Sequence, residues 1–171
     1  MDANTILYIT LIVLALVFLI TYMFHVNSQK SPSSNTPNDT GKTQIVLPLK
    51  LKAYERLIIF LERIKPGSMV MRLNNSSLSS GQLQLECLKN IREEFEHNLS
   101  MQMYISESSW MQVKAAKEET LDLIKSAGNK VAPNGTSLDL AKAMLELETE
   151  SNNTRIDLAI NLLKAEIKSQ F

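Results

Sequence analysis

Gly81–Met103 reads GQLQLECLKNIREEFEHNLSMQM. Leu88, Ile91, Phe95 and Leu99 recur at steps of three and four, the spacing that lines side chains along one face of a helix with 3.6 residues per turn. No Gly or Pro interrupts the run after Gly81, and the Ser76–Gly81 cluster before it is a helix-start signal. The run is too long for a strand and too polar on its far side for a buried one, so it fixes an all-α reading.

The same reading extends in both directions. Upstream, Leu51, Tyr54, Leu57, Ile58, Leu61 and Ile64 share a face, Pro48 suits an opening turn, and Pro66 and Gly67 stop the helix. Ile58, Ile59, Phe60 and Leu61 widen that apolar face, so this helix is expected between others or at an oligomer contact. Ser68–Leu73 (SMVMRL) reads as a short extended piece or loop. Downstream, Ser106 is an N-cap for a helix carrying Trp110, Val113, Leu121 and Ile124 inward and ending before Gly128. The turn-rich Ala132–Thr136 follows, and Ser137 caps a last helix with Ala141, Met144, Leu145, Ala159, Leu163 and Ile167 inward. Its apolar stripe lapses over Glu148–Thr154 (ETESNNT), leaving two readings: one exposed helix, or a break recapped by Thr154 with Asp157.

Nineteen residues without a charge, Ile6–Phe24, precede all of this. At 1.5 Å per residue they reach about 28 Å, close to the hydrocarbon thickness of a bilayer. Ile6, Leu14, Phe18 and Phe24 lie in the apolar body of this span, with Tyr8 and Tyr22 as interfacial aromatics. Asp2 in front and no small-x-small site behind argue for a retained anchor over a cleaved signal. Lys30 and Lys42 follow the span and no lysine or arginine precedes it, which points the rest of the chain to the cytoplasm of an inner membrane and the N-terminus outside. Asn27–Gln44 (NSQKSPSSNTPNDTGKTQ) offers almost no large apolar group to offset its ordering entropy. The expected organisation is a transmembrane anchor over 1–26, a disordered linker over 27–47 and a helical domain of about four helices over 48–171.

Formal charge balances at 18 basic and 18 acidic residues, so a nucleic-acid partner has no support. A single cysteine, Cys87, excludes an internal disulfide and is ten residues from His97, nearly three helical turns, too far for a Cys–His nucleophile. Glu94 and His97 sit at the Glu-x-x-His spacing of carboxylate-bridged di-iron bundles. His25 is the only other histidine, so one chain cannot complete such a centre and only a symmetric dimer would. The alternative is a solvated face shared with Glu93 and Glu96. Lys50, Lys52, Arg56 and Arg63 make the first helix of the domain basic, fitting a lipid or partner contact, or an ordinary exposed face with Glu55 and Glu62 as counter-charges. There is no phosphate loop, Cys-x-x-Cys or His-Glu-x-x-His. No enzyme activity and no cofactor are expected from these residues.

LKAYERLIIFLERIKP (Leu51–Pro66), IREEFEHNLSMQMYISESSW (Ile91–Trp110) and AKEE from Ala116 together resemble an uncharacterised family of small single-pass membrane-anchored proteins of Bacteroidota, a domain of unknown function. The resemblance covers Leu47–Lys125, with Phe95–Asn98 and Ser106–Trp110 its most distinctive parts, and it implies no ligand or activity. The functional expectation is a membrane-tethered interaction or scaffold module, with the bilayer and another protein as partners and self-association as one mode. The alternatives are a metal-binding or enzymatic bundle completed by a dimer, and a regulator that responds to anionic lipid.

Overall fold

The computed structural model describes residues 14–22, 37–151 and 155–169, the side chains of 37–45 excepted. The chain divides into two compact units, Met1–Thr43 and Gln44–Phe171. In the first, residues 14–22 form helix α1, in which the Thr21 hydroxyl donates back to the carbonyls of Val17 (3.0 Å) and Phe18 (2.9 Å). Among the described residues no helix is long and apolar enough to cross a membrane. This overturns the transmembrane anchor, and with it the single-pass inner-membrane placement that rested on it. Leu14, Phe18 and Tyr22 lie exposed in α1, whereas Ile6, Tyr8 and Phe24 fall outside the described residues.

From Pro37 the described helices, joined by short loops, run in the order α2 (Pro37–Arg63), which starts within the first unit, α3 (Pro66–Leu73), α4 (Ser80–Glu96), a 3-10 turn (Leu99–Met103), α5 (Glu107–Lys130), α6 (Ser137–Glu150) and α7 (Arg155–Lys168). Helix α2 starts ahead of the expected Pro48, which lies inside it, so the linker from Pro37 onward is helical rather than disordered. Helix α5 packs against α4, α6 and α7, and α6 also meets α3 and α4. The buried stripes keep helical spacing: Leu57, Phe60, Leu61 and Ile64 on α2, Leu83, Cys87 and Ile91 on α4, Trp110, Val113 and Ile124 on α5, Leu140 and Met144 on α6, and Ile160 and Leu163 on α7. Leu99 and Leu145, expected inward, are exposed. Phe95 is half-buried, stacked on Trp110 with ring centroids 5.3 Å apart, tilted against Phe60 at 5.8 Å and covered by the Lys117 ammonium at 4.4 Å.

How the helices start separates what the sequence announces from what it hides. Helices α4 and α6 carry local capping boxes, Ser79 with Gln82 and Thr136 with Asp139, so the cap of α6 is Thr136 and not the expected Ser137. One antiparallel bridge, Ser79 to Thr136, ties these two starts together. The starts of α3, α5 and α7 use carboxylates from distant parts of the chain. Glu148 Oε2 accepts from the Gly67 amide at 3.1 Å at the start of α3, whose own N-cap, Lys65, makes no side-chain cap bond. Glu119 Oε1 accepts from the Arg155 amide at 3.3 Å at the start of α7. Glu166 accepts from the Ser106 amide at 2.7 Å at the start of α5, beside the expected local cap by Ser106 itself. Each carboxylate satisfies an N–H that has no partner inside its helix and opposes the positive end of the helix dipole.

Pro66–Leu73 is thus a helix, contrary to the extended or loop reading. The last segment is two helices rather than one continuous helix, α6 ending at Glu150 and α7 running over Arg155–Lys168. Thr154, the expected recap, lies outside the described residues.

Candidate functional site

Between α2 and the C-terminal end of α4 lies an open depression of about 340 Å³, lined by Arg56, Ile59, Phe60, Arg63, Glu94, His97 and Asn98. The helical period accounts for the α2 side: Arg56, Ile59, Phe60 and Arg63 are three, four and seven residues apart and share a face. Phe60 is fully buried as the floor, and Ile59 beside it is 48% exposed.

The α4 side is built on Asn98, which is only 6% exposed. Its Nδ2 donates to the Glu94 carbonyl at 2.7 Å and its Oδ1 accepts from Arg56 Nε at 3.0 Å. A second guanidinium nitrogen, Arg56 Nη2, donates to the His97 carbonyl at 2.9 Å. The last carbonyls of a helix have no internal donor and carry its negative dipole end, so Asn98 and Arg56 together finish α4. Both acceptors of Arg56 are neutral oxygens. Two turns on from Arg56, Arg63 Nε donates to Glu94 Oε1 at 2.7 Å, an ion pair that neutralises both groups. His97 Nδ1 lies 2.7 Å from the Glu93 carbonyl. A carbonyl only accepts, so Nδ1 bears the proton and Nε2 is left at the rim.

Four residues picked from sequence for two unrelated reasons, Arg56 and Arg63 as cations and Glu94 and His97 as metal ligands, thus line one surface. Arg63 is spent on Glu94, and Arg56 is oriented by the oxygens at the end of α4. Glu94 accepts from a guanidinium, which sets a positive charge where a metal ion would need a free carboxylate. Among the described residues no three His, Cys, Asp or Glu side chains are grouped so as to hold a metal ion. Lys50 and Lys52 do not line the depression, and Lys52 pairs with Glu55 at 3.3 Å. Cys87 is buried, and burial above all, then the nearby Glu86 charge, pushes its thiol up to about 11 against a small opposing effect of Arg72. A thiol so placed is a packing group.

A second polar cluster joins α2, α5 and α7. The Glu166 carboxylate accepts from Tyr54 Oη at 2.9 Å, Ser106 N at 2.7 Å, Ser106 Oγ at 2.9 Å and Ser109 Oγ. Burial works to raise the Glu166 pKa, but the bonds from Ser109, Ser106 and Tyr54 outweigh it and hold the carboxyl below its ordinary range. Burial first, then the Glu166 bond and charge, push Tyr54 up to about 12. Every group here is spent on another, which makes the cluster a clamp.

With the geometry in place, comparison with known proteins gives one answer. Residues 1–170 match a family of unknown function, DUF7935. The chain belongs to this family. The match reaches well beyond the Leu47–Lys125 stretch that carries the resemblance in sequence, and takes in both helix-end clusters. No curated protein and no solved structure matches the chain. DUF7935 brings no assigned reaction, so a role for the depression rests on its own chemistry.

Sequence reading missed Asn98 and Glu166. Asn98 was visible only as part of a distinctive Phe-Glu-His-Asn phrase, and a residue that ends a helix by bonding back to its own turn has a local signature in that position. Glu166 had none, because its partners lie 57 to 112 residues away.

Proposed function

We propose that the helical domain of this DUF7935 protein is an interaction module that docks a protein partner on the depression between α2 and α4. One observation carries this reading: Ile59, 48% exposed, lines the same depression as a guanidinium held in place by neutral oxygens. The fold covers only about half of the apolar side chain, and the neutral oxygens that Arg56 meets at the end of α4 leave most of its charge unanswered. Interface centres combine such features, an apolar anchor point and an oriented arginine. Support for binding over catalysis comes from Glu94, occupied by Arg63, and Cys87, buried and poorly ionised.

The test is a photo-crosslinking amino acid at position 59 of the full chain in its native cell, with position 125 on the exposed side of α5 as control. A discrete adduct from 59 and none from 125 is expected. No adduct, or the same adduct from both positions, refutes the reading.

A further inference from the structure

The site reads out a particular partner chemistry. Resting on the docking role just given, we infer that the depression takes a segment of another protein that places one carboxylate beside one large apolar side chain, about one helical turn apart.

The charge argument comes first. The lining holds two guanidinium groups, Arg56 and Arg63, and one carboxylate, Glu94. Arg63 and Glu94 cancel at 2.7 Å, while the bonds to Asn98 and His97 orient Arg56 without compensating its charge. One net positive charge matches one carboxylate. A phosphate carries close to two negative charges and would meet Glu94 from across the depression. Orientation matters as much as charge: Asn98, nearly buried and fixed by its own bond to the Glu94 carbonyl, holds Arg56 Nε and Nη2, so the ordering cost of a long side chain is met before the partner arrives.

The apolar argument fixes the spacing. Ile59 is three residues from Arg56, so the two side chains are neighbours with Cβ atoms about 5–6 Å apart. An aspartate or glutamate on Arg56 and a leucine-sized group on Ile59 must be separated by a similar distance. An amphipathic helix presents such a pair at i and i+3 or i+4.

The probe is a displayed library of random 16-residue peptides panned against the full chain, with Arg56→Gln and Ile59→Asp variants alongside. Expected is enrichment of peptides with Asp or Glu three or four positions from Leu, Ile, Met or Phe. Their binding weakens at least about tenfold with either variant, as the loss of one charge-assisted contact implies. Ile59→Asp adds a carboxylate at an exposed position, so it isolates recognition from folding should Arg56→Gln loosen α4. Enriched peptides without an acid, no enrichment, or equal binding by the variants overturns the inference. So does Arg56-dependent binding to phosphatidylglycerol vesicles in place of peptide, or a position-59 adduct that is a dimer of the chain itself. A heterologous adduct from position 59 together with acid-free peptides leaves the docking role standing and removes only this partner chemistry.

Discussion

Replacing Glu166 by Ala strips the acceptor from four donors on two other helices: Tyr54 Oη, Ser106 N, Ser106 Oγ and Ser109 Oγ. Ser109 is 0% exposed and Tyr54 3%, so neither turns to water without a rearrangement. A buried donor left without its partner costs about 1–3 kcal/mol. The Ser106 hydroxyl retains a contact with Ser108 at 3.0 Å and the amide retains access to solvent, so two of the four losses are small. The partial exposure of Glu166 lowers the sum further. The result is about 3 kcal/mol, and at about 2–4 °C per kcal/mol for a chain of this size the melting temperature falls by about 6–12 °C. Glu166→Gln keeps the shape and one acceptor oxygen and falls by about half as much. The pH dependence separates the charge from the contact. The Glu166 pKa is depressed in the folded state, so its contribution is fully present above the unfolded carboxyl value of about 4.3 and disappears as pH falls through the lower folded value. Thermal melts followed by circular dichroism from pH 7 to pH 3 therefore show wild type losing stability over the acid limb, with a shallower slope in Glu166→Gln. Equal melting temperatures at pH 7, or parallel acid limbs, would refute the clamp.

Tyr54, raised to about 12, supplies stability that is present below the ordinary tyrosine value near 10 and lost as pH climbs through 12, and absorbance titration at 295 nm shows one delayed tyrosine that disappears in Tyr54→Phe. Glu148→Ala removes the cap of α3 and costs about 1 kcal/mol in chemical denaturation, with earlier amide exchange over 67–70 than over α4. Phe95→Ala breaks the stack between Phe60 and Trp110, costs about 3 kcal/mol, and shifts the emission of Trp110, the chain's one tryptophan, to longer wavelength. Cys87 reacts with a thiol reagent only at the rate of unfolding, and fast stoichiometric labelling of the native chain would contradict its placement.

The helices that announce themselves in sequence carry their own start signals. Ser79 with Gln82, Thr136 with Asp139 and Ser106 stand within three residues of the amides they cap, and apolar spacing does the rest for α4, α5 and α6. Helix α3 was illegible for the opposite reason. Lys65 offers no cap, the helix is eight residues long, and the group that completes it is Glu148, 81 residues on. Glu148 itself belongs to the polar interval that reads as a lapse in the last helix, so one distant contact hid two features. The N-terminal anchor failed on a different count: a charge-free run in sequence is a necessary condition for spanning a bilayer and not a sufficient one, and among the described residues no helix is long and apolar enough to cross.

The distribution of partners inside the molecule argues for where its function lies. At the starts of α3, α5 and α7, a carboxylate meets an otherwise orphan amide. At the end of α4 an arginine meets orphan carbonyls, and here the compensation is incomplete, because the carbonyls neutralise a dipole end and leave most of a full positive charge on Arg56. A clamp made for stability alone would gain from a carboxylate at that point, as Arg63, two turns on from Arg56, has in Glu94. Asn98 stands there instead, neutral and nearly buried, so the chain fixes the direction of Arg56 while leaving its charge to be answered from outside. Asn98→Asp therefore discriminates. It puts a charge on the internal contact to Arg56 while removing the Nδ2 donor to the Glu94 carbonyl, and if the residue serves only stability the change is confined to the melting temperature and the adduct at position 59 is kept. If Arg56 is held ready for a partner's carboxylate, the same substitution neutralises it and abolishes the adduct at position 59 while the fold persists.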